Sequence, residues 1–173
     1  MSQLPATGMP SGVSPLITAL EGRMERGGAA AGALCLLRRA LRTLPQVPDS
    51  STWSLIAPHT GRARESQDAG MLTGCLWAFF HRHHVSPVSG AGSLGSALSR
   101  SVSPDHYDRL LARLATATDA TLPRSLAGIF DQFETARAAP DFSRLQRDVL
   151  AWYRGGRTAV LECWARDLYA KGP

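Results

Sequence analysis

The chain has 173 residues, 44% of them apolar or aromatic and 19% charged, a balance that excludes a disordered chain and suits one compact domain or two small helical lobes. The formal net charge is +5, and every basic residue except Lys171 is an arginine. Arginine offers phosphate a planar, bidentate fork, so a polyanionic partner is in view, although a GC-rich genome produces the same bias.

Residues 1–13, rich in Pro, Gly and Ser, are expected to be disordered and contain no secretory signal. Pro15 opens a helical pattern through Leu16, Ala19, Leu20 and Met24, which Gly27 and Gly28 interrupt. From Ala29 to Leu44 the positions Ala30, Leu34, Leu37, Leu41 and Leu44 step by four and three, one face of a helix ending at Pro45. Residues 45–66, with three prolines and a Ser/Thr cluster, read as a long surface loop. Met71 to Phe80 is an apolar run too short to span a bilayer, hence a buried helix. The polar, Gly/Ser-rich tract from Ser86 to Ser103 separates two possible lobes, about 14–85 and 104–173, of a single domain over 14–173.

In the second half, Ser103 is the expected N-cap and Pro104 the first residue of a helix whose buried stripe is Tyr107, Leu110, Leu111 and Leu114. A helix over 122–137 follows. Asp141 caps the next, with Phe142, Leu145, Val149 and Trp152 inward. Gly155-Gly156 ends it before a last helix carrying Leu161, Trp164 and Leu168. No alternating strand pattern is present, so the expected fold class is all-α, a helical bundle.

Arg38, Arg39 and Arg42 flank the first leucine stripe, Arg38 and Arg42 on one side and Arg39 on the other, and no carboxylate lies between Glu25 and Asp49. An exposed face normally mixes signs, so these three are the leading candidates for nucleic-acid contact. Arg109 and Arg113, four apart on an outer face, join them, with Asp105 placed to pair with Arg109. Arg100 adds a possible phosphate contact from the polar tract. Arg144 with Asp148 and Glu162 with Arg166 read as solvated helix-surface pairs, and Trp152 and Trp164 as core.

His81-Arg82-His83-His84 lacks the i,i+4 histidines and the glutamate of a helical zinc motif. It reads as a hydrated, cationic helix end. Gly90-x-Gly92-x-x-Gly95 lacks the strand and βαβ setting of a dinucleotide site and reads as a flexible loop. Cys35, Cys75 and Cys163 fit buried free thiols in a reducing, cytoplasmic setting. No metal, cofactor or catalytic residue is expected, so the chain reads as a non-enzyme.

Several stretches in order carry a resemblance: Leu37-Arg38-Arg39-Ala40-Leu41, the apolar helix ending Phe79-Phe80-His81, Gly92-Ser93-Leu94-Gly95-Ser96-Ala97-Leu98, Phe142 through Leu145 and Asp148 to Trp152, and Trp164-Ala165-Arg166-Asp167-Leu168-Tyr169. Over about residues 30–170 the chain resembles the CasB family, the small subunit of the type I-E CRISPR surveillance complex Cascade. The resemblance implies an all-helical, non-catalytic subunit that contacts guide RNA and target DNA backbone and stabilises the R-loop in antiviral defence. Its implied partners are the backbone and large Cascade subunits and a second copy of itself as a homodimer, with no membrane. Arg38 and Arg39 fall on the family's early basic motif, whereas Asp105 and Asp108 flank a place where the family often has a basic pair. The competing readings are a helical protein-interaction module or adaptor and, third, a small metal-dependent nuclease, against which the missing carboxylate cluster argues.

Overall fold

The computed structural model describes residues 12–46, 48–133 and 139–170, and these contain helices and turns with no strand. The helices are α1 (Pro15–Arg26), α2 (Gly28–Leu41), α3 (Ser50–Ile56), α4 (Arg64–Phe80), α5 (Leu94–Ser101), α6 (Tyr107–Ala115), α7 (Leu122–Phe133), α8 (Phe142–Ala151) and α9 (Arg157–Tyr169). The expected continuation of α7 to Arg137 and most of the 1–13 segment lie outside the described residues. No described helix is long and apolar enough to cross a membrane.

Helix α4 organises the rest. Eleven of its residues are buried, from Ala69 through Phe80, so it is apolar on nearly all sides, as a central helix must be. It packs against α1, α2 and α3 on the N-terminal side of the chain and against α7 and α8 on the other. One continuous buried cluster therefore runs from Leu16 to Leu168.

Two segments differ from the sequence reading. Within 45–66, Asp49 accepts the Thr52 N–H at 2.8 Å and starts α3, which buries Thr52, Leu55 and Ile56. The supposed loop thus contains a two-turn helix, followed by a 3₁₀ turn over Ala57–His59. Within 86–103, Ser93 accepts the Ser96 N–H at 3.2 Å and starts α5, whose Leu94, Ala97 and Leu98 are buried. The glycines here allow close packing: a Cβ on Gly95 would sit 2.0 Å from the carbonyl oxygen of Trp164 in α9, and one on Gly90 would strike the Pro140 carbonyl. Ala91 N–H donates to Ala139 O at 3.2 Å and Asp141 N–H to Gly92 O at 3.0 Å, so the expected flexible loop is pinned on both sides.

Smaller corrections concern the helix ends. Ser103 makes no side-chain cap, because Pro104–His106 forms a 3₁₀ turn before α6 begins at Tyr107. Asp141 does cap α8, accepting the Arg144 N–H at 3.1 Å. Gly155, at φ 88°, turns the chain between α8 and α9, a conformation that favours glycine. Trp152 and Trp164 are buried and stacked with centroids 6.2 Å apart. Their indole N–H groups donate to Asp119 at 3.1 Å and Asp148 at 2.7 Å.

Two glycine substitutions should change stability in opposite directions. Gly95→Ala forces α5 from α9 and should lower the unfolding free energy by about 1–3 kcal/mol. Gly32→Ala, in α2 with open space around it, should raise it by about 0.5–1 kcal/mol. Urea denaturation followed by circular dichroism reads both.

Candidate nucleic-acid interface

The interface candidates begin at the C-terminal end of α4, where the helix runs out of backbone donors for its last carbonyls and the His81 N–H, shared between Trp77 O and Phe79 O, is the last of them. Trp77 and Ala78 are buried, so water cannot serve these groups, and unpaired carbonyls there would be destabilising. Side chains take over. His81 Nδ1–H donates to Trp77 O at 2.8 Å, Arg38 Nε to Ala78 O at 2.8 Å, and Arg82 Nη1 to Phe79 O at 2.9 Å. Positive groups are favoured at this end by the helix dipole. Arg82 also lies over the Phe79 ring at 3.8 Å and pairs with Asp131 at 3.7 Å.

This arrangement separates the α2 arginines. Arg38 turns inward, half-buried, and ties α2 to α4, while Arg39 and Arg42 stay exposed. Arg39 stands near Asp49, whose carboxyl is held below its ordinary range chiefly by the Thr52 hydrogen bonds, with the Arg39 charge adding to it. The Arg42 side chain has no hydrogen bond or ion pair among the described residues.

The second candidate set lies on α6. Arg109 is exposed, and its side chain makes no hydrogen bond or ion pair among the described residues. The expected Asp105 pair does not form, since Asp105 sits in the 3₁₀ turn. Arg113 Nη2 donates to Arg124 O at 3.2 Å and its guanidinium covers Gly128 in α7. Arg157, which the sequence did not single out, donates to Ala115 O and lies over the Trp152 ring at 5.4 Å. The guanidinium groups of Arg113 and Arg157 therefore serve backbone carbonyls of α7 and of the C-terminal end of α6. These contacts span 11 and 42 residues, beyond the reach of helical periodicity. Arg100 is a helix residue rather than a loop residue: from the last turn of α5 it donates to Ala91 O at 2.8 Å and Ala139 O at 3.3 Å.

The expected solvated pair of Arg144 with Asp148 is replaced by an internal network. Arg144 Nη2 meets Asp167 at 3.1 Å and Cys163 Sγ at 3.3 Å, and Ser93 Oγ donates to the same Asp167 oxygen at 2.5 Å. Burial raises the Asp148 carboxyl, against the lowering effect of its Trp164 hydrogen bond. Glu162 and Arg166 make no ion pair among the described residues. Cys35 is exposed, not buried as expected, because it lies outside the leucine stripe of α2; Cys75 is buried and Cys163 half-buried.

His81 departs most from the sequence reading. Rather than a hydrated, cationic ring, it is fully buried, stacked on Trp77 with centroids 4.0 Å apart, and accepts the Val88 N–H on Nε2 at 3.0 Å. A proton on Nε2 would break that bond. Burial, with the charges of His84 and Arg38 adding to it, lowers its pKa to about 4. The described residues contain no group of three metal-capable side chains.

The family model described as CRISPR-associated protein Cse2 matches residues 33–169. Among solved structures, the chain is similar to CasB from Thermus thermophilus at 25% identity and a TM-score of 0.67, over 91% of this chain and 99% of that one. A second structure from Thermus thermophilus, a CRISPR-associated protein of the Cse2 family, matches at 25% identity and a TM-score of 0.66 over the same shares. CasB from Thermobifida fusca, 16% identical over 90% of this chain and 93% of its own, shares the fold with a TM-score of 0.72. No curated protein sequence matches the chain.

The α4 end generates two expectations. Arg38→Ala leaves the Ala78 carbonyl unpaired and should destabilise by about 1–3 kcal/mol, whereas Arg42→Ala should stay within about 0.5 kcal/mol; chemical denaturation compares them. The histidine adds a pH signature. Its pKa is lower folded than unfolded, so its stabilising effect is complete above about 6.5 and is lost as pH falls toward about 4. Wild type should lose up to about 1.4 kcal/mol per pH unit more than His81→Gln across that window. Parallel stability curves would contradict a buried neutral ring.

Proposed function

The chain belongs to the Cse2 (CasB) family of CRISPR-associated proteins, and we propose that it acts as a non-catalytic subunit of a type I-E Cascade complex in the cytoplasm, holding the backbone of guide RNA and target DNA. In this reading it steadies the R-loop while base pairing supplies the sequence specificity. It docks on the backbone and large Cascade subunits and pairs with a second copy of itself.

The observation that carries the proposal is a division of labour between charges. Asp49, Asp141, Asp148, Asp119, Asp108 and Asp167 all accept hydrogen bonds within the fold, from helix-start N–H groups, the two indoles, Tyr169, Ser93 and Arg144. Arg39, Arg42 and Arg109 stand exposed, and the Arg42 and Arg109 side chains have no partner among the described residues. A surface that engages these six aspartates internally and leaves guanidinium forks open suits a phosphate backbone. Phosphate contacts position a protein without reading sequence, so the isolated chain should bind weakly, and assembly with its partners should raise the effective affinity. Arg39, Arg42 and Arg109 are the primary contacts in this proposal. Arg113 and Arg100 contribute with the donors left over from their carbonyl bonds, and Arg38 serves mainly to orient α2.

The alternative, a helical adaptor whose arginines meet acidic proteins, separates from this reading in one assay. Fluorescence anisotropy of a labelled, mixed-sequence single-stranded DNA across a salt series should show salt-dependent binding for wild type. The Arg39→Ala, Arg42→Ala double variant should flatten the log-log slope by about 1.4, at about 0.7 per single-strand contact. Equal loss on an unrelated sequence supports backbone recognition. Wild-type binding that is absent even at low salt favours the adaptor.

A further inference from the structure

A groove of about 630 Å³ opens between the connection from α2 to α3, Trp53 of α3, the N-terminal half of α4, the start of α7 with the connection before it, and Tyr153. Its walls are apolar and aromatic, with Trp53, Met71, Leu72, Pro123 and Tyr153 contributing. Its polar content is of the opposite sign to the protein: Glu65, Asp68 and Asp119 line it, and Arg64 is the one arginine among its lining residues. Arg64 reaches Asp68 at 3.6 Å with its own side chain 91% exposed, so it sits at the rim. Asp119 is fixed in place because it accepts the Trp152 indole N–H.

We propose that this groove docks an arginine side chain presented by a segment of a partner protein. The chemistry matches on both counts. Its apolar stem would lie along Leu44, Pro45 and Pro48, its planar guanidinium would stack on Trp53 or Tyr153, and its fork would meet the carboxylates. Lysine lacks the planar group, and nucleic acid is repelled by the three acids. An electrostatic deficit points the same way. Burial raises the Asp68 carboxyl, with Glu65 adding to it against the lowering effect of Arg64. Burial also raises the Tyr153 phenol, with the charges of Asp68 and Asp119 adding. Glu65 and Asp68 thus repel each other at the groove while the phenol stays neutral, and a cation entering it offsets the repulsion between the carboxylates. The phenol of Tyr153 has no hydrogen-bond partner among the described residues. The groove is independent of the exposed arginines of the proposed nucleic-acid face, so each reading stands or falls alone.

The test uses the full chain, uniformly labelled with nitrogen-15, and two capped tripeptides, Ala-Arg-Ala and its neutral citrulline counterpart. Chemical-shift titration should move the Trp53 indole and the amides around Asp68, Asp119 and Tyr153 with the arginine peptide. Citrulline should bind roughly tenfold more weakly, the scale of one charge-assisted contact. Glu65→Gln with Asp68→Asn should weaken the arginine peptide by a similar factor while the remaining spectrum stays folded. Equal response to both peptides, no response at millimolar peptide, or shifts away from the groove would overturn the proposal. So would groove shifts that grow with protein concentration alone, since the occupant would then be a second copy.

Discussion

The buried C-terminal end of α4 is the constraint on which the rest of the molecule depends. A helix that is apolar on nearly every side can sit at the centre of a bundle, but its last carbonyls then terminate where water cannot reach them. Here Arg38 comes from α2, and His81 and Arg82 from the turn that follows α4. Each bond satisfies a carbonyl and also fixes something else. Arg38 sets α2 against α4, His81 holds the chain at Val88, and Arg82 reaches Asp131 in α7. The central helix and the segments around it are thereby locked by one set of hydrogen bonds.

The same economy of polar groups shapes the surface. Aspartates begin helices and receive the indoles of the two stacked tryptophans, so part of the negative charge is engaged within the fold. The arginines divide into those that cap carbonyls (Arg38, Arg82, Arg100, Arg113 and Arg157) and those that remain outside, Arg42 and Arg109 foremost. The proposed backbone-binding role draws on the second group, and the first group gives it a rigid platform. The acid-lined groove beside Trp53 and Tyr153 is the exception to the basic surface, which is why it suits a protein partner rather than a nucleic acid.

Helices with a strong leucine period were legible from the sequence. Most of the stripes of α2, α6, α8 and α9 and the buried run of α4 follow from spacing, although Leu111 and Leu161 are only half-buried and Val160 takes the inward place in α9; Asp141 and Gly155-Gly156 mark real boundaries. Helices α3 and α5 were not legible, because Ser, Thr and Gly dominate them and local propensity argues for loops. Tertiary contact decides otherwise: Ser93 serves as both a cap and a link to Asp167, and Gly95 lets α5 lie directly on the backbone of α9. Among the candidate residues, sequence identified arginines free of nearby acids but not their carbonyl partners. Ala78 lies 40 residues from Arg38, and Ala115 lies 42 from Arg157, so no periodic rule connects them. His81 escaped the sequence reading for the same reason, since its burial depends on Trp77, Val88 and Phe142 closing around it.

The central claim is that Arg38 is a tie within the fold while its neighbours on α2 face the ligand. The most direct measurement is the salt dependence of single-stranded DNA binding by Arg38→Ala, taken under conditions where the variant is fully folded. The account predicts a log-log slope equal to that of wild type despite the lower stability. A slope reduced by about 0.7, the signature of one lost phosphate contact, would contradict it and place Arg38 among the contacts.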